Sequence, residues 1–318
     1  MTRRMKRLLW SAVALFVLLL ATVVAGAFYL VDYALKADHL SEKQAYHTLY
    51  EHHPELRPWV DSLKHAGAIR DTFVVVDGIK LHATLVQAKQ PTNKVAVLIH
   101  GYKNSNVMML SYGRIYHDQL GYNLLLPDLY GHGQSEGDHI NMGWLDRLDV
   151  MRWLEVGNNA FKGDSAATQV VLHGVSMGAA TVMAMSGEQL PPTVKCIVED
   201  CGYTCVFEQF KHNLKAEFGL PSFPLLNVAS IITKMKFGWS FSEASMVEQV
   251  RKCRLPMLFI HGDTDDFVPT AMVNALYAAK PEPKALYMGK GSGHALTLTD
   301  HPDEYASQLT TFCNHYIP

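Results

Sequence analysis

Gly174-Val175-Ser176-Met177-Gly178 sets one serine between two glycines. The pattern suits a sharp strand-to-helix turn that lifts the hydroxyl out of a sheet, with glycines where a side chain would strike neighbouring backbone. An apolar run at 169–173 precedes it and the small residues Ala179-Ala180-Thr181-Val182-Met183 follow, as such a turn requires. The competing reading is an ordinary strand-end turn with a helix-start serine. A serine hydroxyl is a weak nucleophile until a base takes its proton, so an imidazole and an orienting acid must be found. His294 lies in Gly291-Ser292-Gly293-His294-Ala295, a loop of small residues beyond the last predicted strand. Asp265 lies in a segment running from His261 to Pro269, beyond the preceding strand. Asp263 and Asp266 flank it as alternatives, and Asp265 is favoured.

Sixteen histidines demand a reason for choosing one. His301 precedes Pro302 at a helix start and reads as surface, while His100 and His261 each precede a glycine at a strand end, where a ring braces loop backbone. His47, His52 and His53 with Glu51 resemble a metal cluster, but no further ligand is spaced to complete it, so a solvated helix face is expected. Five cysteines, with Cys201 and Cys205 answered by no second pair, make neither a disulfide scaffold nor a zinc module. Neither metal nor organic cofactor is expected. With 28 Lys+Arg against 30 Asp+Glu and no long basic block, a nucleic-acid partner is not expected either.

The elements that must position these residues follow from periodicity. Short β-branched or aliphatic runs at 73–76, 81–86, 95–100, 123–127, 169–173, 196–199, 257–261 and 285–288 alternate with helical stretches. Strands that are apolar throughout and separated by helices predict a mostly parallel sheet covered on both faces. Asp77-Gly78 predicts a hairpin between the first two strands, at one edge. The 318 residues, 48% of them apolar, suffice for a large core. No Gly/Ser linker divides residues 72–318, which are expected to form one α/β domain. The long interval between the strands at 196 and 257 predicts a small helical cap, roughly 203–252. Its Leu225, Leu226, Val228, Ala229, Ile231 and Ile232 would suit an acyl pocket under a lid, or a cap simply packed on the body.

The N-terminus has a different character. Residues 8–31 carry no charge, and as a helix they would reach roughly 36 Å, more than the hydrocarbon core of a bilayer. A transmembrane anchor is therefore expected at 8–31, after a cytoplasmic basic tail at 1–7 with Arg3, Arg4, Lys6 and Arg7, and before a helical stem at 32–71. That orientation makes the body extracytoplasmic on a single-pass cell-membrane protein. Ala25-Gly26-Ala27 has the form of a signal-peptidase site, and cleavage after Ala27 would instead release a secreted protein. Without the four leading cations the balance is 24 against 30, too acidic for docking on anionic lipid by charge.

Five runs together carry a resemblance: Val97-Leu98-Ile99-His100-Gly101-Tyr102, the segment from Pro127 to Gly137, the Ser176 motif, the segment from His261 to Pro269, and Gly293-His294. Over residues 70–318 the chain resembles the α/β-hydrolase superfamily, and within it serine hydrolases of the monoacylglycerol-lipase and serine-aminopeptidase-like branch, including membrane-tethered bacterial members. The order Ser, Asp, His matches that fold and differs from the chymotrypsin and subtilisin orders. The resemblance implies Ser176 as nucleophile, His294 as general acid/base and Asp265 as orienting acid, with an oxyanion hole from the backbone N–H groups of Met177 and Tyr102. Asp128 and Ser135 would be loop scaffolding. The implied reaction is hydrolysis of a small-molecule carboxylic ester, including acyl or lipid esters, through an acyl-enzyme. Two alternatives stand beside it. One is a serine peptidase, although Glu208, Glu217, Glu243 and Glu248 show no spacing that singles out an amine-binding pair. The other is a non-catalytic binding module, against which the intact Ser176, Asp265 and His294 set counts.

Overall fold

The computed structural model describes residues 2–162 and 167–318. Eight strands, β1 (Ile69–Val76), β2 (Ile79–Val86), β3 (Lys94–Ile99), β4 (Asn123–Pro127), β5 (Gln169–Val175), β6 (Val194–Asp200), β7 (Met257–Gly262) and β8 (Lys284–Gly289), form one sheet in the order β1-β2-β4-β3-β5-β6-β7-β8. β2 alone runs against its neighbours, and every pair from β4 to β8 is parallel. Each predicted run overlaps one of these strands, with His100 one residue past the end of β3 and β1 beginning four residues before Phe73. Asp77 and Gly78 join β1 to β2 with φ of 50° and 85°, the left-handed pair that a two-residue hairpin of matching twist requires.

Twelve α-helices are described: α1 (Arg3–Leu35), α2 (Glu42–His52), α3 (Arg57–His65), α4 (Leu110–Arg114), α5 (Asp146–Phe161), α6 (Met177–Met185), α7 (Val206–Phe218), α8 (Leu225–Phe237), α9 (Met246–Val250), α10 (Ala271–Ala279), α11 (Thr297–Asp300) and α12 (Pro302–Tyr316). The chain divides into two compact units. One comprises Ala37–Thr204 and Ser245–Pro318, the other residues up to Lys36 and Cys205–Ala244.

In the first unit the sheet is buried on both faces, which is why its central strands read as unbroken apolar runs. Alternate residues, such as Ala96 and Leu98 of β3 and Leu124 and Leu126 of β4, join a core with Leu49, Val60, Leu110, Tyr116 and Phe312 from α2, α3, α4, the turn after it and α12. The opposite face packs closely enough that a Cβ on Gly157 of α5 would stand 3.1 Å from Leu125. There, too, Phe259 of β7 meets the Tyr277 ring of α10 edge-on at 5.6 Å. The segment expected as a stem is helical, and Ser41 and Gln44 close a capping box at the start of α2. Its Leu49, Leu56, Trp59, Val60 and Leu63 are core residues, so α2 and α3 are part of the body that the sheet supports.

The second unit is all helical. α1 is long and apolar enough to cross a membrane, and it continues without a break to Leu35, one turn past the uncharged run. It packs against α8, where a Cβ on Gly26 would stand 3.2 Å from Leu225 Cδ1. α7 and α8 each end on a glycine with positive φ, Gly219 and Gly238, the residue that closes a helix C-terminus at no steric cost. The cap helices in this unit are α7 and α8, whereas α9 belongs to the body.

One buried acid steadies the segment that leads into α5. Asp146 Oδ2 accepts the Gly143 N–H at 2.7 Å, and Gly143 is pressed on α6 so closely that a Cβ would stand 2.9 Å from the Thr181 nitrogen. Its other oxygen has no hydrogen-bond partner, and burial, aided by Asp149, pushes the carboxyl up to about 7. The fold therefore holds a proton that the unfolded chain loses near pH 4, and this stabilisation fades as pH rises toward 7. Asp146→Asn mimics the neutral form, so its melting temperature relative to wild type should rise between pH 5 and pH 8. A difference that does not change with pH in thermal melts would contradict this.

Candidate active site

The turn after β5 holds Ser176 at φ 56° and ψ −113°, a conformation an L-residue adopts only under constraint. Two close approaches impose it. A Cβ on Gly174 would stand 2.0 Å from the Gly178 carbonyl oxygen, and one on Gly178 would stand 2.0 Å from the Ile99 oxygen and 2.8 Å from the His100 oxygen. The motif glycines thus let β5, α6 and the end of β3 meet at backbone distance. On the other side, the Ser176 N–H donates to the Asp200 carbonyl of β6 at 2.8 Å. Gly101 also abuts the serine, since a Cβ there would be 3.4 Å from Ser176 Cβ and 4.0 Å from its Oγ. Tyr102 follows Gly101 in the chain, and Met177, next after Ser176, opens α6.

The acid and the imidazole come from two loops that are fastened to each other. Thr264 donates its N–H and its hydroxyl to the Ser292 oxygen at 3.1 and 2.8 Å, and Asp263 Oδ1 accepts the Gly291 N–H. Asp263 is thereby committed to the histidine loop's backbone. Asp265, next but one, turns inward: Oδ1 accepts the N–H groups of Phe267 and Val268 at 3.0 and 2.8 Å, and Oδ2 accepts from His294 Nδ1 at 2.7 Å. His294 Nε2 lies 2.9 Å from Ser176 Oγ. With Nδ1 donating to the carboxylate, Nε2 is the bare nitrogen that accepts the Ser176 hydroxyl's hydrogen bond. The Phe267 ring lies 4.9 Å from the His294 ring and covers it.

The other histidines weighed in the sequence are engaged away from Ser176. His100 donates Nδ1–H to the Gly101 oxygen and accepts the Leu129 N–H at Nε2, and burial lowers its pKa. His261 donates to the Val268 oxygen at 2.9 Å, also lowered by burial. His301 holds the Lys290 oxygen. His47, His52 and His53 turn to separate partners, Glu51, the Thr48 oxygen and Glu55. Asp128 is scaffolding: it accepts the N–H groups of Asn106 and Gln134 and pairs with buried His82, and these contacts outweigh burial to lower its pKa. Ser135 donates to the Asp128 oxygen and accepts the His82 N–H.

Residues 96–308 match the Alpha/beta hydrolase family. The chain belongs to that family. Among relatives of this α/β hydrolase, the uncharacterized protein YqkD of Bacillus subtilis (strain 168) is 30% identical over 228 residues, 72% of this chain and 73% of that one. Among solved structures, an esterase of Pyrococcus furiosus covers 79% of this chain and 91% of its own, with 20% identity and a TM-score of 0.62. The acylaminoacyl peptidase of Pyrococcus horikoshii covers 78% of this chain and 41% of its own, with 15% identity and a TM-score of 0.58. At such identities the likeness is one of fold.

Three groups beside the triple in this α/β hydrolase escaped sequence reasoning. The Asp200 carboxyl accepts the Tyr305 hydroxyl at 2.8 Å, and burial pushes it up to about 7. Tyr305 also meets His173, whose other nitrogen faces the Tyr116 hydroxyl at 3.1 Å and whose pKa burial lowers to about 3. Cys201 brings its sulfur within 4.8 Å of ligand atoms of Asp265 and His294. Burial, with Asp200 and Asp265 nearby, pushes that thiol well up, and the imidazole and carboxylate already bind each other, so this donor set suits a packed thiol better than a metal. A histidine inside an apolar run was the one available signal; contacts between distant strands left none.

Alanine at position 178 tests the backbone approach. Gly178→Ala cannot keep both the Ile99 contact and the turn, so it should lower the melting temperature by several degrees or abolish soluble protein. An unchanged melt would refute the close approach.

Proposed function

We propose that this α/β hydrolase is a serine hydrolase that cleaves carboxylic esters through an acyl-enzyme. The observation that carries the reading is the series Ser176 Oγ, His294 Nε2, His294 Nδ1 and Asp265 Oδ2, with separations of 2.9 and 2.7 Å across its two hydrogen bonds. In this reading His294 takes the Ser176 proton as Oγ attacks the ester carbonyl carbon, and returns it to the departing alcohol oxygen. Water then attacks the acyl carbon with the same proton traffic, releasing the acid and free Ser176. Asp265 keeps the imidazole in the tautomer that accepts at Nε2. The N–H groups of Met177 and Tyr102 would hold the oxyanion, a donor of this kind contributing about 3 kcal/mol at the transition state.

The esterase among the similar structures favours an ester substrate, and the acylaminoacyl peptidase supports the second reading, peptide hydrolysis. The acids of the interval between β6 and β7 weigh against an amine-binding pair. Glu208 pairs with Lys211, Glu243 with Lys234, Glu248 with Arg251, and Glu217 accepts from the Tyr33 hydroxyl. The four cations ahead of α1's apolar run and the helix's length support an uncleaved membrane anchor with the N-terminus in the cytoplasm and the body outside.

A fluorophosphonate probe should label the wild type and not Ser176→Ala. On short and medium-chain esters, Asp265→Asn should reduce kcat by about 10⁴-fold, while Asp263→Asn retains most activity. Equal labelling of Ser176→Ala, or equal losses at positions 263 and 265, would overturn the assignment, and activity confined to aminoacyl substrates would favour the peptidase. For topology, alkaline phosphatase fused after Pro318 should be active and a cytoplasm-dependent reporter silent; the reverse pattern would refute the orientation.

A further inference from the structure

We propose that the cap inserts into the outer leaflet beside α1, so that the chain holds the bilayer at two places, an anchoring helix and the turn between α7 and α8. The proposal rests on the reading of α1 as an uncleaved anchor. Residues 218–233 contain no charged side chain. Within them Phe218, Leu220, Phe223 and Ile231 are exposed, Phe223 by 74%. An uncharged stretch with several large apolar side chains in solvent is rare on a protein surface that meets only water.

The occupant follows from what this segment touches. Leu225 lies against Gly26, and Gly26 is five residues before the end of the uncharged run at Val31. Along a helix axis that is about 7 Å inside the run. At the other end of the turn, Phe218 meets the Tyr33 ring edge-on at 5.8 Å, and Glu217 accepts the Tyr33 hydroxyl. Tyr33 lies just beyond Asp32, the first charge after the run. The turn therefore descends from the level of Tyr33 to that of Gly26, roughly 10 Å along α1. If α1 is immersed as far as Val31, Leu225 and the turn before it share that depth. Phe28, Tyr29 and Tyr33, exposed on α1 at the same level, supply the aromatic belt expected at a membrane interface. The cap's attachment is apolar, which agrees with a body too acidic to dock on anionic lipid by charge.

The full-length protein in phosphatidylcholine nanodiscs, carrying the photo-crosslinker p-benzoylphenylalanine in place of Phe223 or, separately, Phe16, tests this by mass spectrometry of the adducts. Phe223 is exposed, so the exchange leaves the fold intact, and an unchanged melting temperature verifies it. Lipid adducts at both positions are expected. Adducts at position 16 with none at 223, or with protein alone at 223, would overturn the proposal and leave the anchor standing. No lipid adduct at either position would overturn the anchor reading, and this inference with it.

Discussion

Two backbone surfaces closer than any side chain would permit set the geometry of the whole site. Gly178 lies against the carbonyls of Ile99 and His100, and Gly174 against the carbonyl of Gly178, so the end of β3, the turn after β5 and the start of α6 occupy one small volume. Ser176 has a left-handed φ because no relaxed backbone connects β5 to α6 within that space. Such a conformation costs about 1–3 kcal/mol, offset by burial of α6, every residue of which is inside, and by the Ser176 N–H bond to Asp200. The same approach brings Gly101 onto the serine. Ser176, the Gly101 loop and the strand ends are therefore held together by backbone packing.

The buried acids of the body sort by how many donors reach them. Asp128 receives two backbone N–H groups and the His82 ring, and its pKa falls in spite of burial. Asp146, Glu199 and Asp200 each keep one oxygen without a hydrogen-bond partner, and burial raises all three. The desolvation penalty falls on the charged form, so donors decide whether a buried carboxyl can carry charge. Two amides and His294 fill the oxygens of Asp265. Asp263, two residues away, differs in task because its oxygen is turned to the Gly291 amide.

Membership of the family fixes less than the site does. The similar folds include esterases and peptidases on one scaffold, because the sheet supplies strand ends while loops and insertions supply specificity. In this chain the insertion between β6 and β7 forms a compact unit with the N-terminal helix. The last turns of α1 are thus part of the packing of the cap helices.

The residue pattern alone determined the eight strands and the edge hairpin, and it singled out Ser176, His294 and Asp265 as candidates, with Asp263 and Asp266 left open beside Asp265. Those features rest on local periods, on glycine's missing side chain and on strand ends that topology brings together. Periodicity also found α2 and α3, but read them as a stem because amphipathic spacing does not say what a face packs on. Only the tertiary structure decided that Leu49 and Val60 join the sheet's core. It alone separated Asp265 from Asp263 through the amides that reach one carboxyl and the loop that claims the other. It alone placed Cys201 and Asp200 beside the triple and Leu225 against Gly26. Each of these is a contact between segments far apart in the chain, and a linear pattern carries no record of which distant surface a side chain meets.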